Sequence, residues 1–230
     1  MKLRAERFGA WVRVEDDTLV AVDRVLARRL GVDGAALWDD AATTEPLPLE
    51  VHVAVTSRCP ADCGGCYQSA TRDGVDVPRD ALARTLDTLA AAGVFTVAFG
   101  GGEPALRDDL GELARMVRAR GMVPVVTTSG IGVTASRAAS LVDFAQVNVS
   151  HDGVAGGYEA VRGWGRREET WTFMAALKGL GGPAWFNLGD GDLAMHVLRG
   201  QYLASGDTLA GATARIARSL GVATTVLPMS

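Results

Sequence analysis

The chain has 230 residues, 48% of them hydrophobic and 22% charged, a balance that excludes disordered and collagen-like classes. Its length fits one large domain or two small ones, and a net charge of −4 leaves no basic footprint for nucleic acid. No apolar run reaches the roughly 18 to 20 residues of a membrane span, and the opening MKLRAERFGAWVRVEDD is charged too early for a signal-peptide core, so a cytoplasmic location without membrane or nucleic-acid partners is expected.

Residues 1–48 read as a small accessory module. Two strand-like runs (8–14 and 18–22) precede a helix predicted over 23–30, and Pro46 and Pro48 close the segment. From Leu49 the pattern alternates strand and helix. Residues 49–56 (LEVHVAVT) alternate with β-branched residues and predict a strand. A helix over 78–92 opens at Pro78, carries Leu82, Leu86 and Leu89 on one face, and stops at Gly93 as a left-handed cap. A strand over 94–99 runs into Gly100-Gly101-Gly102-Glu103-Pro104. Next come a helix over about 107–120 ending at Gly121, a strand over 122–127 leading to Thr128-Ser129-Gly130, a helix around 133–142, and a strand over 144–149. The fold class is therefore α/β, with a parallel sheet and right-handed crossovers. In such folds ligand chemistry collects at the carboxyl ends of the strands. The unusual residues fall there: Cys59 after the first of these strands, Glu103 after the second, the Thr-Ser-Gly turn after the third, and Ser150-His151-Asp152-Gly153 after the fourth.

The three cysteines, Cys59, Cys63 and Cys66, fall within eight residues, which cannot make a disulfide framework. The spacing C-x-x-x-C-x-x-C supplies three thiolates from one loop. With no fourth cysteine, a [4Fe–4S] cluster would keep one iron free for another ligand. Structural zinc would want a fourth protein ligand, and His52 lies seven residues earlier inside a strand. Zinc and unreactive buried thiols are the other readings of the loop.

The loop CPADCGGCY (59–67) followed by GGEP (101–104) resembles the radical S-adenosylmethionine (SAM) superfamily. The resemblance implies a partial (βα) barrel in which Cys59, Cys63 and Cys66 hold a [4Fe–4S] cluster and the free iron chelates the methionine part of SAM. One electron from the cluster would then release a 5′-deoxyadenosyl radical that abstracts hydrogen from a small-molecule or peptide substrate, with a flavodoxin or ferredoxin as electron donor. It also implies that Gly101, Gly102 and Glu103 lie by the SAM amino group, that Pro104 holds the turn, and that Ser150 and Asp152 face the ribose or the substrate. The likeness covers about residues 50–163, roughly four of the six strand–helix units of such a barrel. One departure is Gly65, where the family has a bulky residue before the third cysteine; Tyr67 is expected to take over its packing.

From about Arg162 the character changes. Residues 162–203, a helix over 207–220 and VLPMS (226–230) resemble the 2-phospholactate transferase family of deazaflavin biosynthesis. That family moves a phospholactyl or phosphoenolpyruvyl group from a guanosine diphosphate carrier to a deazaflavin alcohol, with magnesium. Here LGDGDLA carries Gly191 where that family has an arginine, and Gly200 stands where a threonine is usual. Losing a planar bidentate donor from a phosphate loop matters, so catalysis is not carried over to residues 164–230. Asp190, Asp192 and His196 could meet a metal, but read rather as a helix start. In the same stretch AWFNL (184–188) and VATTVL (222–227) predict two further strands, with helices over 166–180 and 190–204 around them.

Three readings follow. The first is a radical SAM enzyme with a core over 49–163. The second is a group transferase carried by 164–230, and the third a non-catalytic cluster-binding chimera or fragment. His52 is expected to be a buried core residue, and His151 could face the pocket. Arg115, Arg118 and Arg120 are expected on a solvated helix face.

Overall fold

The computed structural model describes residues 2–14, 18–39, 47–150, 156–165, 169 and 184–187. At the amino end, β1 (Lys2–Glu6), β2 (Gly9–Arg13) and β3 (Leu19–Asp23) form an antiparallel sheet in that order. Helices α1 (Arg24–Arg29) and α2 (Ala35–Trp38) follow. The Asp23 carboxylate caps α1 by accepting from the Leu26 N–H at 2.8 Å, as a short side chain at this position does. Strand β1 lies outside the runs expected from sequence, because Lys2 and Arg4 break its apolar pattern.

Those two cations fasten the module to the rest of the chain. Lys2 Nζ donates to the Val94 carbonyl at 2.7 Å and lies 4.7 Å from the centre of the Phe95 ring. Arg4 Nη1 donates to the carbonyls of Pro48 (3.0 Å) and Gly93 (3.1 Å), and its Nη2 to that of Leu47 (3.1 Å). Arg13 Nη1 reaches the Gly121 carbonyl at 2.7 Å. All these acceptors precede strands of the main sheet, so the module sits at its amino-terminal end, away from the chemistry.

The main sheet holds β4 (Glu50–Thr56), β5 (Thr96–Gly101), β6 (Val123–Thr128), β7 (Gln146–Ser150) and β8 (Ala184–Asn187), parallel and side by side in chain order. Helix α3 (Arg79–Ala91) joins β4 to β5, α4 (Leu110–Ala119) joins β5 to β6, and a 3-10 helix (Ala135–Leu141) precedes β7. Helix α5 (Gly156–Arg162) follows β7. Strand order that keeps to chain order is the progression of an opened barrel; a doubly wound sheet would reverse. Gly93 and Gly121 end α3 and α4 with φ of 79° and 71°, the left-handed caps expected from sequence. One sheet face (Val55, Val97, Phe99, Val126, Val147, Val149) packs against Leu82 and Leu86 of α3 and Leu110, Leu113 and Val117 of α4. This is the main core. Among the described residues no helix is long and apolar enough to cross a membrane.

Several expectations need correction. His52 is not in the core: its side chain is 74% exposed and pairs with Glu50 at 2.9 Å. Alternation along β4 turns Val51, Val53 and Val55 to the helices and His52 to the opposite face. The helix expected over 107–120 begins at Leu110, after a separate 3-10 turn at Pro104–Leu106. The segment 135–141 winds as 3-10 rather than α; its buried residues Ala138 and Leu141 stand three apart, the 3-10 period. Arg115 and Arg118 do lie on the exposed face of α4, with Arg120 half-buried just past its end, and all three also have partners. Arg115 pairs with the Asp143 carboxylate, Arg118 Nε donates to the Asp143 carbonyl at 2.7 Å, and Arg120 Nε donates to Asp87 of α3 at 2.7 Å. Residues Ala184–Asn187 of the AWFNL run form β8, the further strand expected there, and it joins the main sheet beside β7, a placement the sequence leaves open. The strand expected over 222–227 and the helices over 166–180, 190–204 and 207–220 lie outside the described residues, save for Glu169.

Candidate active site

The cysteine loop leaves the carboxyl end of β4 and returns to it laced by backbone hydrogen bonds. Ser57 N–H donates to Val75 O (3.0 Å), Cys59 N–H to Thr71 O (2.8 Å), Thr71 N–H to Ser57 O (3.0 Å) and Val77 N–H to Val55 O (2.9 Å). Side chains close its base: Asp76 accepts from Thr56 Oγ1 at 2.6 Å and from Arg58 Nη2 at 3.0 Å. Further out, Cys66 N–H donates to Cys63 O at 3.3 Å across a tight turn. Gly65 adopts φ 79° in that turn, which a side chain would strain; this is a local reason for the missing bulky residue. Tyr67 does not take over its packing, being 84% exposed.

All three cysteines are free thiols, Cys59 buried and Cys63 and Cys66 half-buried. Burial pushes the Cys59 thiol up to about 11, against a hydrogen bond from the Ala61 backbone. Cys59 packs with Ala61, Ile131 and Tyr158, and Cys63 and Trp164 border that cluster. Cys63 Sγ donates to the Arg162 carbonyl at 3.7 Å. Beside it, a Cβ on Gly163 (φ 60°) would stand 2.5 Å from the Asp62 carbonyl oxygen. The end of α5 is thus pressed directly onto the cysteine loop.

The GGEP turn meets the root of the same loop backbone to backbone. Gly102 N–H donates to Thr56 O and Glu103 N–H to Arg58 O, both at 2.8 Å. A Cβ would stand 2.3 Å from Thr56 O at Gly101 (φ 124°) and 2.2 Å from Arg58 O at Gly102. Both glycines are demanded by this approach alone. Glu103 is fully buried. Its carboxylate accepts from Ala105 N–H (3.0 Å), Ser129 N–H (2.8 Å), Ser129 Oγ (2.6 Å) and Thr128 Oγ1. Burial raises its pKa, and these donors oppose the rise. The carboxylate thereby joins the ends of β5 and β6. Pro104, also buried, opens the 3-10 turn.

The carboxyl edge of the sheet thus brings Cys59, Cys63, Cys66, Gly101, Gly102, Glu103 and Pro104 together. Ser150 ends β7 half-buried, on the strand face that also carries Gln146 and Asn148, which are hydrogen-bonded at 2.6 Å. Asp152, His151, Asp190, Gly191, Asp192, His196 and Gly200 lie outside the described residues. Sequence reasoning missed Arg107, read as the start of a helix, and missed Thr128 and Ser129 as partners of Glu103. Their place at a strand end was the available signal.

The donor set suits an iron–sulfur cluster: three soft thiols on one loop and no fourth cysteine in the chain. Among the described residues no three His, Cys, Asp or Glu side chains already stand at metal-binding spacing.

Comparison with known proteins bears on the same region. The sequence profile of the radical SAM superfamily matches residues 53–190. The PqqA peptide cyclase of Rhodopseudomonas palustris is 37% identical over 116 residues, covering 49% of this chain and 31% of that protein. Over a separate segment of 78 residues, the phosphoenolpyruvate transferase of Kitasatospora aureofaciens is 41% identical, covering 34% of this chain and 24% of that protein. The chain therefore spans a third or less of the curated relatives it matches. Among solved structures, Streptococcus suis SuiB bound to S-adenosylmethionine superposes with a TM-score of 0.59 at 14% identity, over 81% of this chain and 55% of that one. SuiB bound to its precursor peptide SuiA gives 0.60 at 14% identity, over 90% and 60%. At such identity the likeness concerns the fold, and the fold agrees with the parallel sheet described above. Because the profile takes in more than half of the chain and falls on that sheet, the chain belongs to the radical SAM superfamily, whose cofactors are a [4Fe–4S] cluster and SAM.

Proposed function

We propose that this chain is the catalytic core of a radical SAM enzyme acting on a peptide or small molecule. The observation that carries the reading is the backbone union of the cysteine loop with Gly102 and Glu103 at the sheet's carboxyl edge. The loop that carries the three thiols thus starts against a turn whose glycines close onto the Thr56 and Arg58 carbonyls. Cys59, Cys63 and Cys66 would hold the cluster as thiolates. Gly101, Gly102 and Glu103 would border the SAM amino group, with Pro104 fixing the turn, and Ser150 and Asp152 would face the ribose or the substrate. When bound, the reduced cluster supplies the electron that cleaves SAM to methionine and a 5′-deoxyadenosyl radical for hydrogen abstraction. A flavodoxin or ferredoxin would be the electron donor, in the cytoplasm. A peptide substrate is favoured by the relatives, one named as a peptide cyclase and one crystallised with a precursor peptide.

The test is anaerobic. The protein is reconstituted with iron and sulfide, reduced and given SAM, and 5′-deoxyadenosine is sought by chromatography. Its appearance in the wild type and disappearance in Cys63→Ala is the expected result. Bound iron without deoxyadenosine would leave a cluster-binding protein and no radical enzyme.

A second reading rests on the transferase match: residues 164–230 would contribute to transfer of a phosphorylated three-carbon group. Magnesium-dependent binding of a guanosine diphosphate conjugate tests it, and no such binding is expected, because Gly191 replaces the phosphate-handling arginine.

A further inference from the structure

The GGEP turn continues into Ala105-Leu106-Arg107-Asp108-Asp109, and Arg107 has no part in the reading above. Its side chain is only 4% exposed. A buried charge is costly unless its N–H groups are used, and here they are used across the chain. Nη1 donates to the Val55 carbonyl at 2.7 Å and the Val77 carbonyl at 2.9 Å. Nε and Nη2 donate to the two oxygens of Asp109, each at 2.8 Å. Val55 lies where β4 enters the cysteine loop and Val77 where the chain leaves it; the two are also bonded to each other. One guanidinium therefore grips both feet of the loop while the Asp109 carboxylate orients it.

The turn that carries Arg107 is held from two further sides. The Leu106 carbonyl accepts from Arg58 Nη2 (3.4 Å), in the cysteine loop, and from Arg137 Nη1 (3.1 Å), beyond β6. Arg137 Nη2 also pairs with Asp108 at 2.8 Å. The 104–109 turn is thus a junction between the root of the thiol loop, the end of β5 and the segment after β6. Only a planar fork meets two carbonyls and a carboxylate together; a lysine ammonium is a single point of charge on a flexible stem.

We infer that Arg107 is a positioning residue, which fixes the feet of the cysteine loop against the GGEP turn and so sets where the thiols stand relative to Gly101–Glu103. The consequence for SAM rests on the radical SAM reading; the consequence for the loop does not. The experiment begins with the full-length apoprotein. Hydrogen–deuterium exchange is compared in wild type, Arg107→Lys, Arg107→Met and Asp109→Asn, together with the alkylation rate of Cys59, which is buried. In Arg107→Met the amides of Ser57, Cys59, Thr71 and Val77 should exchange about tenfold faster, as loss of hydrogen bonds to a charged group implies. Arg107→Lys should recover only part of that protection. Asp109→Asn, which keeps the carbonyl bonds, should show the smallest effect. The amides of α3 and α4 should be unchanged, and Cys59 should alkylate faster in step with the loop.

Loop exchange that stays at the wild-type rate, or rises equally in loop and helices, overturns the inference. If Arg107→Met does not fold, Arg107→Lys and Asp109→Asn carry the comparison. Loaded protein supplies the second arm: Arg107→Lys should bind SAM about tenfold more weakly at wild-type iron content, from the same loss. Wild type that takes up no cluster or SAM sinks the functional reading and leaves the exchange result standing. Wild type that binds both while the loop ignores Arg107 sinks the positioning role alone.

Discussion

Each thiol of the cysteine loop has different surroundings. Cys59 is buried with its proton held firmly, whereas Cys63 and Cys66 are half-open, yet a cluster bound at three corners needs all of them. Replacing any one of Cys59, Cys63 or Cys66 by alanine is expected to remove most bound iron, measured after reconstitution, with far-ultraviolet circular dichroism unchanged. Full iron retention in all three variants would exclude the assignment. Glu103 is a different kind of residue. Glu103→Ala would strand the donors of Ala105, Thr128 and Ser129, at a cost of about 1–3 kcal/mol. In the functional reading it also weakens SAM binding while leaving the iron. Titration calorimetry with SAM on the reconstituted variant checks this, and unchanged affinity would count against the placement of the carboxylate.

At the scale of elements, two glycines separate backbone strain from collision. Gly121 caps α4 with φ 71°, and a methyl group there would meet open space, so Gly121→Ala should cost only the left-handed penalty of about 1–2 kcal/mol and leave iron uptake intact. Gly102→Ala would drive a methyl against the Arg58 carbonyl, costing about 1–3 kcal/mol by overpacking and shifting the loop root, so iron uptake should fall as well. Denaturant midpoints and iron content together distinguish them. β4 and β7 were legible because only alternate residues are covered, which writes a period of two into them; β5 and β6, buried on both faces, were legible as short apolar runs closed by turn residues. The cysteine loop and GGEP were legible because their spacing carries chemistry. β1 was not, since its alternate residues are cations that bond to carbonyls elsewhere. His52 was misread because a half-covered sheet leaves one face of an apolar-looking strand to solvent. Arg107 was illegible for another reason: apart from Asp109, its partners are backbone carbonyls 52 and 30 residues away, and no local pattern announces them.

For the whole molecule, the two ends of the sheet do separate work. The accessory module is fixed at the amino-terminal end through Lys2, Arg4 and Arg13, and the thiols and GGEP lie at the other. Arg4→Met should therefore destabilise the fold by about 1–3 kcal/mol, as loss of charged hydrogen bonds does, without altering iron content or SAM affinity. A thermal melt beside an iron assay reads both quantities. A variant that melts normally would remove the fastening role of Arg4, and one that loses iron with its stability would show the ends to be coupled.

The contact between Cys63 and the Arg162 carbonyl joins residues 99 apart in sequence. A ribosome adding about 5–20 residues per second exposes the thiols on the order of ten seconds before that partner exists. During this interval the loop can reach its strand but not its final cover. A nascent chain stalled before α5 should present Cys59 and Cys63 to alkylating agents more openly than the finished protein does.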